Sequence, residues 1–134
     1  MDVAVSRSLI AAAREALENA YIPYSNFAVG AAVLTADGTI FVGTNVENAS
    51  YGLTMCAERV ALFSATAAGF RDLAAIAVTS RKLRPIAPCG ACRQVMAELL
   101  TSTADVILDT GSEPLMMSVN ELLPLAFGPT DLNG

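Results

Sequence analysis

Apolar residues recur at helical spacing through Leu9, Ala13, Ala16-Leu17 and Ala20, with Arg14, Glu15 and Glu18 between them. This pattern predicts an amphipathic first helix, with Ser6 or a neighbour able to cap its start. Tyr21-Ile22-Pro23-Tyr24-Ser25-Asn26 ends it, because proline breaks a helix and pushes its predecessor towards extended geometry. Residues 27–35 are apolar throughout and predict a strand buried on both faces. Asp37-Gly38 turns the chain back into a partner strand over 39–45. Residues 46–54 read as loop. A second helix, alanine-rich, is predicted from about 56 to 68, with Gly69 as its stop. Residues 73–79 form a third apolar strand, and a loop through Pro85 and Pro88 leads to a third helix over 92–100. Strands at 105–109 and 115–119 follow, and Asn120 can cap a short helical turn over 121–123 that Pro124 closes.

Loop lengths constrain the topology. The link from Thr110 to Pro114 is too short for a parallel crossover, which needs about a dozen residues, so the last two strands should pair as an antiparallel hairpin. The strands flanking the second and third helices have room for crossovers. The expected fold is therefore α/β, a mixed sheet with helices on its faces, within a single domain over residues 1–134.

Composition narrows the functional classes. Hydrophobic residues make up 54% of the chain and charged ones 16%, which excludes disorder. No run approaches the ~18 apolar residues of a membrane span, so the apolar excess points to contacts between subunits in a homo-oligomer. A net charge of −5, with only eight Lys and Arg, argues against nucleic acid as a partner. The first residues lack the basic segment of a secretory leader, and three cysteines do not make a disulfide framework. A reducing, cytoplasmic setting is expected.

All three cysteines fall in two short segments, Cys56-Ala57-Glu58-Arg59 and Pro88-Cys89-Gly90-Ala91-Cys92, and the chain has no histidine. A metal bound there must take three thiolates and keep its fourth position free, as catalytic zinc sites do. Both segments sit at loop-to-helix junctions, where unpaired N–H groups and the helix dipole lower a thiol pKa. Cys89 and Cys92 are three apart and share one helix face. In a first helical turn Glu58 can stand beside the metal without ligating it and take a proton from bound water. Three thiolates leave a Zn²⁺ centre with one net negative charge, and Arg59 is placed to draw charge off the sulfurs. Alone, Cys-x-x-Cys indicates a redox pair or part of a zinc ribbon, and Glu58 alone a solvated charge. Cys-Ala-Glu followed by Pro-Cys-x-x-Cys is the established signature of zinc-dependent nucleobase deaminases.

The chain resembles the small, homotetrameric cytidine deaminases along nearly its whole length. The resemblance is carried by residues 20–32 (Ala-Tyr-Ile-Pro-Tyr-Ser-Asn-Phe-Ala-Val-Gly-Ala-Ala), 43–51 (Gly-Thr-Asn-Val-Glu-Asn-Ala-Ser-Tyr), both cysteine segments, and Glu121-Leu122-Leu123-Pro124 before Ala126-Phe127. It implies a three-layer α/β/α fold with a mixed five-stranded sheet and a C-terminal antiparallel hairpin. It implies one Zn²⁺ per subunit on Cys56, Cys89 and Cys92, and Glu58 as the catalytic proton shuttle. Further implied are Asn45 and Glu47 on the ribose hydroxyls, Phe27 stacked on the pyrimidine, and the Ala57 N–H on the base carbonyl. Ala49, Tyr51 and Phe127 would reach the active site of a neighbouring subunit in a tetramer. The implied reaction is hydrolysis of cytidine and deoxycytidine to uridine and deoxyuridine with loss of ammonia, in pyrimidine salvage. Leu125 departs from the family pattern, which has a small or polar residue there. A blasticidin-S-type aminohydrolase shares the zinc motifs, and the Asn45-x-Glu47 pair favours a ribonucleoside over it. A thiol–disulfide oxidoreductase would use only Cys89 and Cys92, and a non-catalytic zinc module would need a fourth protein ligand.

Overall fold

The structure, a computed structural model, describes residues 1–133. Helix α1 (Val3–Ala16) starts before the expected Ser6, because the Asp2 carboxylate accepts the Ala4 N–H at 2.9 Å. Ser6 lies inside the first turns, its hydroxyl donating to the Val3 carbonyl. Strand β1 (Val29–Thr35) begins later than the hydrophobic run. The Asn45 side chain takes the Phe27 carbonyl at 2.7 Å and the Val29 N–H at 3.0 Å, so Phe27 lies outside the ladder. Strand β2 (Ile40–Thr44) returns antiparallel through a turn in which Gly38 has φ 93°, a conformation free only to glycine.

Helix α2 (Ala57–Ala67), strand β3 (Leu73–Ser80), helix α3 (Gly90–Leu99), strand β4 (Leu100–Leu108), strand β5 (Leu115–Ser118) and helices α4 (Val119–Leu122) and α5 (Pro129–Asn133) complete the order. The sheet runs β2-β1-β3-β4-β5. Only β3 and β4 are parallel, joined across α3, and β4–β5 is the expected antiparallel hairpin. Strand β4 starts at Leu100, directly after α3, because a buried Leu100 pairs with Leu73. Its polar stretch Thr101-Ser102-Thr103 hides that extension in the sequence. Ser118, rather than Asn120, caps α4, since Ser118 and Glu121 satisfy each other's backbone N–H groups reciprocally.

Strand alternation sorts the core into two faces. Ala32, Ala75, Ala77 and Ile107 pack under Leu9, Ile10 and Ala13 of α1. Ala31, Val33, Ile76, Val78, Val106 and Leu108 pack against Ala61, Leu62 and Ala65 of α2 and Met96 of α3. The result is a three-layer α/β/α arrangement. On the second face Gly43 lets α2 lie close on the sheet, since a Cβ there would stand 2.4 Å from the Ala57 carbonyl oxygen. This contact sets the height of the α2 N-terminus, where the functional residues cluster. Among the described residues no helix is long and apolar enough to cross a membrane.

Candidate functional site

Cys56 is the N-cap of α2 and Cys89 the N-cap of α3, so two of the three sulfurs stand where helix dipoles favour negative charge. Cys89 lies just before its helix rather than on it. Its sulfur accepts the Cys92 N–H at 3.5 Å, which folds the Cys-x-x-Cys segment over the helix end. Because α2 and α3 pack on the same face of the sheet, their starts converge. The three sulfurs lie within 4.8 Å of one another, and those of Cys56 and Cys89 are 3.8 Å apart. Sulfurs bound tetrahedrally to one zinc at the usual Zn–S distance stand about 3.8 Å apart, so the thiol cluster fits that ion. The cluster contains no carboxylate ligand.

Charge is unevenly shared among the thiols. The Cys56 thiol is drawn down to about 5, first by its hydrogen bond with Cys92 and then by Arg59, whose Nη2 donates to Cys56 Sγ at 3.3 Å. The same pairing, with burial, pushes the Cys92 thiol up. Arg59 therefore bonds the Cys56 sulfur while its charge acts on both. Its Nε is buried without a partner, which leaves a further donor on the guanidinium.

Glu58, only 4% exposed, lines a cavity of about 170 Å³ together with Cys56, Ala57, Cys89, Asn45 and Val29. Burial pushes its carboxyl up to about 6, and the negative charge on Cys56 adds to the shift. It is thus a buried acid beside three sulfurs, able to hold or release a proton near neutrality.

The other residues singled out in the sequence are distributed around this cavity. Asn45 lines it, but its amide also latches residues 27 and 29. Glu47 lines an adjacent cavity of about 400 Å³ with Tyr24, Ser25, Tyr51 and Thr54, and Thr54 borders both spaces. Ser25 holds the Glu47 carboxyl below its ordinary value. Phe27 is half-buried at the entrance to β1 and does not line the sulfur cavity. Ala49 and Tyr51 are exposed, Tyr51 by 76%, with its ring edge-on to Tyr24 at 6.0 Å. Phe127, 59% exposed, borders a separate cavity with Met96, Leu123 and Leu125. None of Ala49, Tyr51 and Phe127 lines the sulfur cavity of its own chain. Leu125 is fully exposed at φ 54°, a left-handed conformation that a small residue, above all glycine, adopts more readily.

Several contributors escaped sequence reasoning. Ile86 and Ala87 line the cavity from the loop before Cys89, and Thr54 and Met55 from the stretch before Cys56. Their proximity to the cysteines in the chain was the available signal. Arg93 reaches back to the Pro88 carbonyl and forward to the Leu122 carbonyl, both at 2.8 Å, and Gln94 donates to the Phe127 carbonyl. These bonds tie the C-terminal segment to the helix that carries Cys92.

Known proteins share both this geometry and the sequence. The family model of the cytidine and deoxycytidylate deaminase zinc-binding region matches residues 4–108. A cytidine deaminase of Halalkalibacterium halodurans is 54% identical over 126 residues, 93% of this chain and 96% of the relative. The crystal structure of cytidine deaminase from Burkholderia pseudomallei superposes with a TM-score of 0.85 at 58% identity, covering 90% of this chain and 98% of the other. That from Mycobacterium tuberculosis gives 0.80 at 42% identity, covering 91% and 96%. With the sulfur cluster and its buried glutamate on the same helix ends that the motifs mark, the chain belongs to the cytidine and deoxycytidylate deaminase family.

Proposed function

We propose that the chain hydrolyses cytidine and deoxycytidine to uridine and deoxyuridine with release of ammonia, as a single catalytic domain over residues 1–134. The observation that carries this reading is Glu58, a buried carboxyl lining one cavity with two of three converging sulfurs while belonging to no ligand set. Cys56, Cys89 and Cys92 would hold one zinc ion per subunit, which when bound supplies an acidified water as nucleophile near neutral pH. Glu58 accepts the proton of the attacking water and delivers it to N3 as water adds at C4 of the cytosine. Glu58 then takes the proton of the new C4 hydroxyl and passes it to the amino group, and the C4–N bond breaks as the C4 carbonyl forms, releasing ammonia. The walls of the small cavity, Val29, Met55, Ile86 and Ala87, offer the base an apolar surface beside the sulfurs. The Ala57 N–H, at the start of α2, is assigned to the base carbonyl, and Phe27 to the face of the ring. Asn45 and Glu47 are assigned to the ribose, the adjacent cavity giving the sugar its room.

Exposed Tyr51, Leu53, Leu125 and Phe127 support a homotetramer in which Ala49, Tyr51 and Phe127 complete a neighbour's site. A place in pyrimidine salvage and in the cytoplasm completes the reading.

Loss of the cytidine absorbance band on incubation with purified protein tests it directly. Turnover should disappear when a chelator strips zinc and return on adding one equivalent per chain. Protein that carries this zinc and leaves cytidine and deoxycytidine unchanged would refute the reading, and turnover of blasticidin S alone would redirect it.

A further inference from the structure

One short stretch of chain claims most of the Glu47 carboxylate. Its Oε1 accepts the Tyr24 N–H at 3.0 Å and the Ser25 N–H at 3.1 Å, and its Oε2 accepts the Ser25 hydroxyl. An ionised carboxylate can only accept, so the Ser25 proton points to Glu47. The same Ser25 oxygen accepts the Phe27 N–H at 3.1 Å. Asn26, between them, sits at φ 54°, a left-handed turn that asparagine tolerates and that brings the Phe27 amide back towards Ser25. The Phe27 carbonyl is held in turn by Asn45. Ser25 is therefore the direct hydrogen-bonded link between Glu47 and the backbone of Phe27.

A carboxylate offers about four acceptor sites, and these three bonds leave one open on Oε2. Glu47 and Ser25 both line the larger cavity, which meets the sulfur cavity at Thr54. We propose that Ser25 is a positioning residue: it orients Glu47 Oε2 for a sugar hydroxyl and couples that contact to the placement of Phe27 on the base. The preference for a hydroxylated sugar then depends on Ser25, although Ser25 makes no contact with the reacting atoms. The proposal rests on the nucleoside reading of the site and adds the device by which sugar and base are read together.

The test compares cytidine with 2′,3′-dideoxycytidine in the parent protein and in Ser25→Ala, Ser25→Thr and Glu47→Gln variants. Ser25→Ala should raise the KM for cytidine about tenfold, the effect of losing a hydrogen bond to a charged group, with kcat moving less. The KM for dideoxycytidine, which loses only the Phe27 placement and no Glu47 contact, should rise less, so the preference narrows. Ser25→Thr, which keeps the hydroxyl, should restore it. Ser25→Ala placed on Glu47→Gln should add little further loss, because the two act through one contact. Amide hydrogen exchange at Phe27 should quicken in Ser25→Ala, a readout independent of turnover. Equal losses on both nucleosides, additive losses in the double variant, or unchanged exchange at Phe27 overturn the coupling alone. A parent protein that deaminates neither compound overturns the nucleoside reading and this proposal with it.

Discussion

Two buried carboxylates, Glu58 in the first turn of α2 and Asp109 just past the end of β4, meet opposite fates. Asp109 is 1% exposed, more enclosed even than Glu58. Burial by itself would raise its pKa, but Arg14 donates to both of its oxygens at 2.7 and 2.8 Å, Thr79 at 2.7 Å and the Gly111 N–H at 2.9 Å. Arg84 adds a second positive charge at 3.4 Å. Together they outweigh desolvation and hold the Asp109 carboxyl well below the carboxylate range. Glu58 has no bidentate cation, and its charged neighbour Cys56 pushes the same way as burial. Enclosure is common to both, so it does not make a carboxylate reactive. What differs is how far partners offset that burial: at Glu58 its own backbone N–H, the Cys92 thiol and the Arg59 charge lower the pKa without cancelling desolvation.

The most severe way to break this contrast is to remove the titrating proton at Glu58. Glu58→Gln should keep the fold and bound zinc while kcat falls by ~10²–10⁴-fold, read from cytidine turnover with zinc content measured in parallel. Near-native turnover would strip Glu58 of its role. Asp109→Asn should do the reverse. It leaves Arg14 and Arg84 without their counter-charge, costs about 1–3 kcal/mol in denaturant unfolding, and leaves kcat at 25 °C close to that of the parent. A large loss of turnover in the intact Asp109→Asn protein would mean that the two carboxylates are not separable.

The pH dependence of stability sharpens the same comparison with smaller effects. The folded pKa of Asp109 is depressed, so its contribution is present above the ordinary carboxylate value of about 4 and drains away as pH falls towards its folded value. The parent should therefore lose its margin over Asp109→Asn on acidification below about pH 4. Glu58 has the opposite sign, because its folded pKa is raised to about 6. Its ionisation opposes folding as pH rises through that value. In metal-free protein Glu58→Gln should gain about 1–2 kcal/mol above pH 6, and this gain should vanish near pH 4. Parallel unfolding curves for both variants across pH 3–8 would erase the distinction.

Much of this architecture was legible in the chain. Helical spacing around Leu9 and Ala13, the apolar run into Thr35 and the short link after Asp109 dictated the elements and the antiparallel final hairpin. The boundaries that escaped detection share a cause, since each was set by a side chain acting on a distant or neighbouring backbone group. Asn45 keeps Phe27 out of β1, Ser118 with Glu121 starts α4, and pairing of Leu100 with Leu73 begins β4. The charged anchor Asp109 read only as the end of a strand, because Arg14 lies 95 residues away from it in the chain.

The sequence by itself determined which atoms were available. Three thiols without a histidine, a glutamate two residues beyond the first, and a helix start at each cysteine segment specify a thiolate site with an adjacent acid. Tertiary structure decided what those atoms became. Packing of α2 and α3 on one face brings Cys56 and Cys89 to 3.8 Å, and close approach at Gly43 sets the depth at which Glu58 is buried. Desolvation and charge depend on everything that surrounds a group in space, so no local stretch of chain could reveal that burial would prevail at Glu58 and be outweighed at Asp109.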